Sequence, residues 1–328
     1  MPTKLRIATR RSALALVQSN WVAAELKRLQ PGLEVELVEV VTTGDRIQDR
    51  SLAAIGGKGL FVSEVEDVLL RGEAEIAVHS LKDVPAELAP GLMLGAIPER
   101  EDPSDVLVTA EGDALDDLEA GARIGTNSLR RTLQLRRQRN DLQYAMLRGN
   151  VDTRLRKLAD GEYRAIVLAA AGLRRLGLYS RPLWPIPVEI SVPSVGQGAL
   201  AIEVRQDDAS TREILSKLDH AASRACVEAE RAFLAKLGGD CHTPIGGHAA
   251  LLDDGRRIRF EGWVGSIDGD KHVRAAQDVW LDDKRSLKDS AAQAASEVAT
   301  TLLTRGAFEL IEQAKNDAKA QQIDPRKK

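Results

Sequence analysis

The chain has 328 residues, with 46 Lys and Arg against 49 Asp and Glu, a formal net charge of −3, 43% apolar residues and 3% aromatics. That balance belongs to a folded, water-soluble chain of two or three domains and excludes collagen-like, coiled-coil and wholly disordered proteins. Near-neutral charge with few aromatics also argues against a dedicated nucleic-acid binder. No apolar run approaches the roughly 20 residues of a membrane-spanning helix. The opening MPTKLRIATRRSALAL goes almost at once into patterned structure, so no secretory signal is expected. The two cysteines, Cys226 and Cys241, form neither a disulfide framework nor a metal-finger spacing, so a cytoplasmic setting is expected.

In chain order, Leu5–Thr9 reads as a strand and Ser12 as the cap of a helix with Leu14, Val17, Trp21, Val22, Leu26 and Leu29 on its apolar stripe. Pro31-Gly32 stops that helix, and Leu33, Val35 and Leu37 alternate with glutamates as a strand does. The glycine-rich segment TTGDRIQDRSLAAIGGKG reads as a lid rather than a packed connection. A helix over Phe61–Arg71 and a strand over Glu75–His79 follow. Strands at Val106–Thr109, Arg123–Gly125, Gln143–Leu147 and Ala165–Leu168, with helices near Ser128–Arg139 and Val151–Ala159, repeat the pattern after a Pro98–Pro103 hinge. Such alternation predicts α/β lobes with mostly parallel sheets. The strand Ala199–Val204 arrives late enough to cross back and complete the first lobe. From Ala221 the order becomes a helix, three successive strands and a long helix near Ser286–Arg305, which predicts an antiparallel sheet with helical cover. The tail from Lys315 to Lys328 is polar and is expected to fray.

Three clusters carry chemistry. His79-Ser80-Leu81-Lys82-Asp83 follows an apolar strand, the end of a parallel sheet at which ligands bind, and a carboxylate there could stabilise a cation or relay a proton. An ordinary turn ion pair explains the position equally well. Arginines recur after four strands: Arg10-Arg11, the TNSLRR run with Arg130 and Arg131, Arg148 with Arg154, and Arg174-Arg175. Any single arginine is adequately explained as a solvated charge, but the recurrence points to a polyanionic small molecule. Cys226 shares a helical stripe with Ala229, Phe233 and Leu237 and reads as a core thiol, whereas Cys241 sits in a Gly/Pro-rich loop where a nucleophilic thiol can be reached. Cys241, His242 and His248 match no zinc template, so no metal is expected. Gly196-Gln197-Gly198 is a glycine-bracketed turn suited to a hinge or to close approach by a ligand.

The stretches IATRRSALAL, GGKGLFVSEVE, AVHSLKDVP, EREDPSDV, IGTNSLRR, LRGNVDTRL, AAAGLRRLGL, PSVGQGALAIE, AERAF and CHTPIGGHA, in this order, closely resemble the porphobilinogen deaminase (hydroxymethylbilane synthase) family. The resemblance implies two periplasmic-binding-protein-like α/β lobes, at 1–98 with 199–216 and at 104–192, then an α+β cofactor-attachment domain at 221–314 and a tail at 315–328. It implies a transferase, most simply a monomer, that joins four porphobilinogen molecules head to tail with release of ammonia to give hydroxymethylbilane for tetrapyrrole and haem biosynthesis. A dipyrromethane cofactor, held by a thioether to Cys241, would be the primer, and Asp83 the catalytic residue. The substrate's acetate and propionate groups would be bound by Arg10, Ser12, Lys82, Thr126, Ser128, Arg130, Arg131, Arg148, Arg154 and Arg175, with Lys58, Phe61 and Gln197 as lid or close-approach positions. A non-catalytic binder of carboxylated ligands is the alternative, but it would need neither Asp83 nor an exposed Cys241. Binding of nucleic acid through the arginines is a third reading, disfavoured by the charge balance.

Overall fold

A computed structural model describes residues 3–43, 62–239, 243–281 and 285–323. The strands are β1 (Lys4–Arg10), β2 (Glu34–Val40), β3 (Ile76–Ser80), β4 (Leu92–Ala96), β5 (Asp105–Val108), β6 (Arg123–Gly125), β7 (Gln143–Ala145), β8 (Ala165–Ala169), β9 (Leu183–Ile186), β10 (Leu200–Arg205), β11 (Ile245–Leu252), β12 (Arg257–Gly265) and β13 (His272–Trp280). The helices are α1 (Ala13–Leu29), α2 (Ser63–Leu70), α3 (Leu129–Gln138), α4 (Val151–Ala159), α5 (Ala170–Arg175), α6 (Ala209–Leu215), α7 (Ala221–Leu237), α8 (Leu287–Thr304) and α9 (Ala307–Ile323). The described residues fall into two compact units, one made of those up to 101 with 198–224, the other of 102–197 with those from 225 onward. Among the described residues no helix is long and apolar enough to cross a membrane.

The first unit is built on a five-stranded sheet in the order β2-β1-β3-β10-β4. β1 is parallel to β2 and to β3, and the late strand β10 inserts antiparallel between β3 and β4. Ser12 caps α1, its hydroxyl accepting from the Ala15 amide at 3.3 Å, and Lys27 and Arg28 suit the other end of the helix dipole. The buried face of α1 differs from the stripe that the large apolar residues predict. Ala15, Gln18, Ser19, Val22, Ala23 and Leu26 face inward, while Val17 is 37% and Trp21 44% exposed. Polar residues can occupy that face because they are paired: Ser19 Oγ donates to Thr9 Oγ1 at 2.7 Å and Gln18 Nε2 to Ser80 Oγ at 2.9 Å.

The second unit holds a sheet of the same pattern, β7-β6-β8-β5-β9, with β6 parallel to β7 and β8 and with β5 antiparallel to β8 and β9. It also holds the antiparallel sheet β11-β12-β13, covered by α8. Phe233, Phe260, Val298 and Ile311 lie in the core of that layer, and Cys226 is buried there, as its helical stripe predicts. Helix α9 runs past Lys315, where fraying is expected to begin, as far as Ile323. Leu310, Ile311 and Ala314 anchor its first half.

Candidate active site

In the first unit, the parallel strands β1 and β3 end side by side, and their carboxyl ends carry the polar residues. β3 passes directly into a single 3-10 turn, Leu81–Asp83, pinned by the buried Leu81 side chain and by the Leu81 amide donating to Ala199 O at 3.0 Å. The turn leaves Lys82 half-buried and presents Asp83 to solvent. Asp83 lines a pocket of about 60 Å³ with Arg10, Ser12, Gln18, His79 and Ser80. His79 is buried, and burial first, then the Arg10 charge, push its pKa down to about 4, so the imidazole is neutral near pH 7. The structure therefore brings together Arg10, Ser12 and Asp83, a guanidinium and a hydroxyl beside a carboxylate.

In the second unit, β6, β7 and β8 end in the remaining polar segments. Thr126 follows β6 and is buried, its hydroxyl accepting from the Ser128 amide at 3.2 Å. Ser128 caps α3, accepting from the Arg131 amide. Arg148 and Gly149 follow β7, Asn150 caps α4, and Arg154, in the helix's first turn, donates from Nε to Gly149 O at 2.8 Å. Arg148, Arg154 and Arg175 are all half-buried. Arg174 beside them is engaged with Asp102 at 3.4 Å and stacks on the Tyr179 ring at 3.8 Å.

Arg130 and Arg131 are not the solvated helix-face charges that any single arginine suggests. Both are buried and both bind the carboxylate of Asp105, Arg130 Nη2 at 2.9 Å and Arg131 Nη2 at 2.7 Å. Burial alone would raise the Asp105 pKa, but the two guanidiniums outweigh it and hold the carboxyl well below its ordinary range. Arg130 is lowered from its ordinary value, by burial first, with Asp105 opposing. Gln197, expected at a hinge or a ligand approach, is also buried and donates to Asp105 Oδ1 at 2.8 Å and to Pro103 O at 2.7 Å. The bracketing glycines do form the predicted turn, with φ of +72° at Gly196 and +89° at Gly198.

Asp105 is the residue that sequence reasoning missed. The available signal was an acidic residue opening the otherwise apolar strand DVLV, since a charge in a wholly buried strand requires partners. Lys58, Phe61 and Cys241 lie outside the described residues.

Residues 5–213 match the family described as porphobilinogen deaminase, dipyromethane cofactor binding domain, and residues 224–303 match porphobilinogen deaminase, C-terminal domain. The chain is 53% identical over 266 residues to the porphobilinogen deaminase of Brevibacillus brevis, covering 81% of this chain and 86% of that protein. It is 46% identical over 315 residues to the porphobilinogen deaminase of Shouchella clausii, covering 96% and 98% respectively. Among solved structures, the methionine binding protein MetQ aligns at a TM-score of 0.41 and 15% identity, over 71% of this chain and 91% of that one.

Proposed function

We propose a division of labour among the residues of this chain, which belongs to the porphobilinogen deaminase family. It is a transferase that joins four porphobilinogen molecules head to tail, releasing ammonia each time, to give hydroxymethylbilane for tetrapyrrole synthesis. Its dipyrromethane cofactor supplies the pyrrole carbon on which the chain is started. The donor set fits such a group. Each pyrrole carries two carboxylates, and Arg148 after β7, Arg154 in α4 and Arg175 at the end of α5 are half-buried guanidiniums, the group suited to pairing with carboxylates. Cys241 is the attachment residue, through a thioether.

The observation that carries the catalytic assignment is Asp83 on its 3-10 turn, beside Arg10 and Ser12 in one pocket. When the carbon–nitrogen bond of porphobilinogen breaks, the electron pair leaves with ammonia and a positive charge spreads over the substrate's pyrrole ring. The Asp83 carboxylate stabilises that cation, accepts hydrogen bonds from pyrrole N–H groups, and takes the proton lost when the new carbon–carbon bond forms. Arg10, Ser12 and Lys82 in the first unit bind carboxylates, as do Thr126, Ser128, Arg130, Arg131, Arg148, Arg154 and Arg175 in the second. The enzyme works as a monomer in the cytoplasm. Alkylation requires Cys241 as a thiol, which a reducing compartment maintains, and each chain carries its own full residue set. Light scattering on the eluting protein should return the mass of one chain.

Intact mass followed by peptide mapping tests the reading. An adduct of two pyrrole units on the Cys241 peptide, absent in Cys241→Ser and kept in Cys226→Ser, is the expected result. An adduct on Cys226, or none after incubation with porphobilinogen, overturns it.

A further inference from the structure

We infer that Asp105 is a positioning residue for the reaction: its carboxylate fixes Arg130 and Arg131 in one geometry and leaves their cluster one positive charge in excess for a substrate or cofactor carboxylate. The inference rests on the carboxylate-binding role proposed for the two arginines.

Asp105 is fully buried at the start of β5, between Ala169 of β8 and Ile186 of β9. Its two oxygens are saturated by four side chains. Oδ2 accepts from Arg130 Nη2 at 2.9 Å and from Ser191 Oγ at 3.0 Å. Oδ1 accepts from Arg131 Nε at 2.9 Å and from Gln197 Nε2 at 2.8 Å. The outer nitrogens are tied down as well: Arg130 Nη1 donates to Val192 O at 2.6 Å, and Arg131 Nη1 to Val167 O at 3.0 Å. Neither guanidinium can rotate without breaking several bonds at once.

An ion pair kept for stability alone would balance its charge, because desolvation makes an unbalanced buried cluster costly. Here two cations share one carboxylate, and among the described residues no second carboxylate pairs with either arginine. The surplus positive charge sits in the first turn of α3, where the helix dipole is unfavourable to a cation and favourable to an anion. Arg130 Nε makes no hydrogen bond among the described residues, so it has a donor to offer. The arrangement is strained electrostatically until an anion arrives, and Asp105 keeps it from flying apart meanwhile.

The test compares Asp105→Asn, Asp105→Glu, Ser191→Ala and Arg130→Gln, each prepared as holoenzyme, by KM and kcat for porphobilinogen, melting temperature and the fraction of protein carrying the cofactor. Asp105→Asn keeps one acceptor oxygen for the two guanidiniums, loses the negative charge and turns an amide donor towards one of them. It should raise KM about 10-fold to 100-fold, the loss typical of a misplaced binding group, with lower cofactor loading and a smaller change in kcat. Asp105→Glu, which keeps the charge, should recover part of that loss. A melting temperature that falls while KM and loading stay at wild-type values would make Asp105 purely structural and overturn the inference. Should Asp105→Asn not fold, Ser191→Ala, which removes one donor and no charge, must raise KM several-fold, and an unchanged KM there counts against the inference. Arg130→Gln separates the two layers. If it too binds and loads normally, the carboxylate-binding reading has failed; if it alone is impaired, only the positioning role of Asp105 has.

Discussion

His79 Nε2 lies 3.7 Å from Glu203 Oε2, on the adjacent strands β3 and β10, with both side chains sealed from solvent. The imidazole nitrogen makes no hydrogen bond among the described residues, and burial, assisted by Arg10, pushes its pKa down to about 4 from the ordinary 6.5. The unfolded chain thus binds this proton more readily than the folded one. Stability from His79 is complete above about pH 6.5 and drains away as pH falls towards 4, by at most about 3 kcal/mol. Urea melts at pH 5 and pH 7.5 should differ by more in the wild type than in His79→Gln. Equal differences would mean that the imidazole does not titrate in this window.

Asp83 stands on a turn that holds itself, through Leu81 and Ala199, independently of its own carboxylate. Replacing that carboxylate should leave the fold intact. Asp83→Asn is expected to cut kcat by about 100-fold to 1,000-fold, the scale of losing a charge aimed at the transition state, with the melting temperature unchanged and the cofactor still attached. Near-wild-type turnover in this variant would remove Asp83 from the chemistry.

Local rules made much of this legible. The cap at Ser12, the stop at Pro31-Gly32 and the antiparallel order from Ala221 onward are short-range signals, and the structure repeats them. The apolar strand before Asp83 marks it as a candidate that a turn ion pair explains equally well, and the family resemblance is what singles it out. Two things were not legible. The buried face of α1 holds Gln18 and Ser19, which only their partners Ser80 and Thr9, on other strands, make acceptable. Arg130 and Arg131 look like surface charges until Asp105, Ser191 and Gln197 converge on them from segments 25 to 66 residues away. Periodicity carries no information about such convergence.

Glu230 is fully buried and stitches three segments of the second unit. Its Oε2 accepts from the Gly196 amide at 2.7 Å and its Oε1 from the Ala249 amide at 2.8 Å, with His248 Nδ1 at 3.5 Å. Glu230→Ala strands two buried amides, each costing about 1–3 kcal/mol. Glu230→Gln retains one acceptor oxygen and should cost less. Chemical denaturation should rank the proteins wild type, Gln, Ala. An Ala variant as stable as the wild type would show that water or a shifted backbone satisfies these amides.

Gly149 links the end of β7 to α4 with φ of +107°, a region closed to side chains, and a Cβ there would meet Thr153 Cγ2 at 2.6 Å. The same residue's carbonyl anchors Arg154, and its neighbours are Arg148 and the cap residue Asn150. Gly149→Ala must therefore relax at the place where two proposed carboxylate-binding arginines are set. A stability loss of about 1–3 kcal/mol is expected from the backbone strain, together with a raised KM for porphobilinogen and little change in kcat for the cofactor-loaded fraction. Thr153→Ala combined with it removes the methyl contact but not the φ penalty, so the double variant should recover only part of the stability. Full recovery would identify the clash, and not the left-handed backbone, as the reason glycine is required.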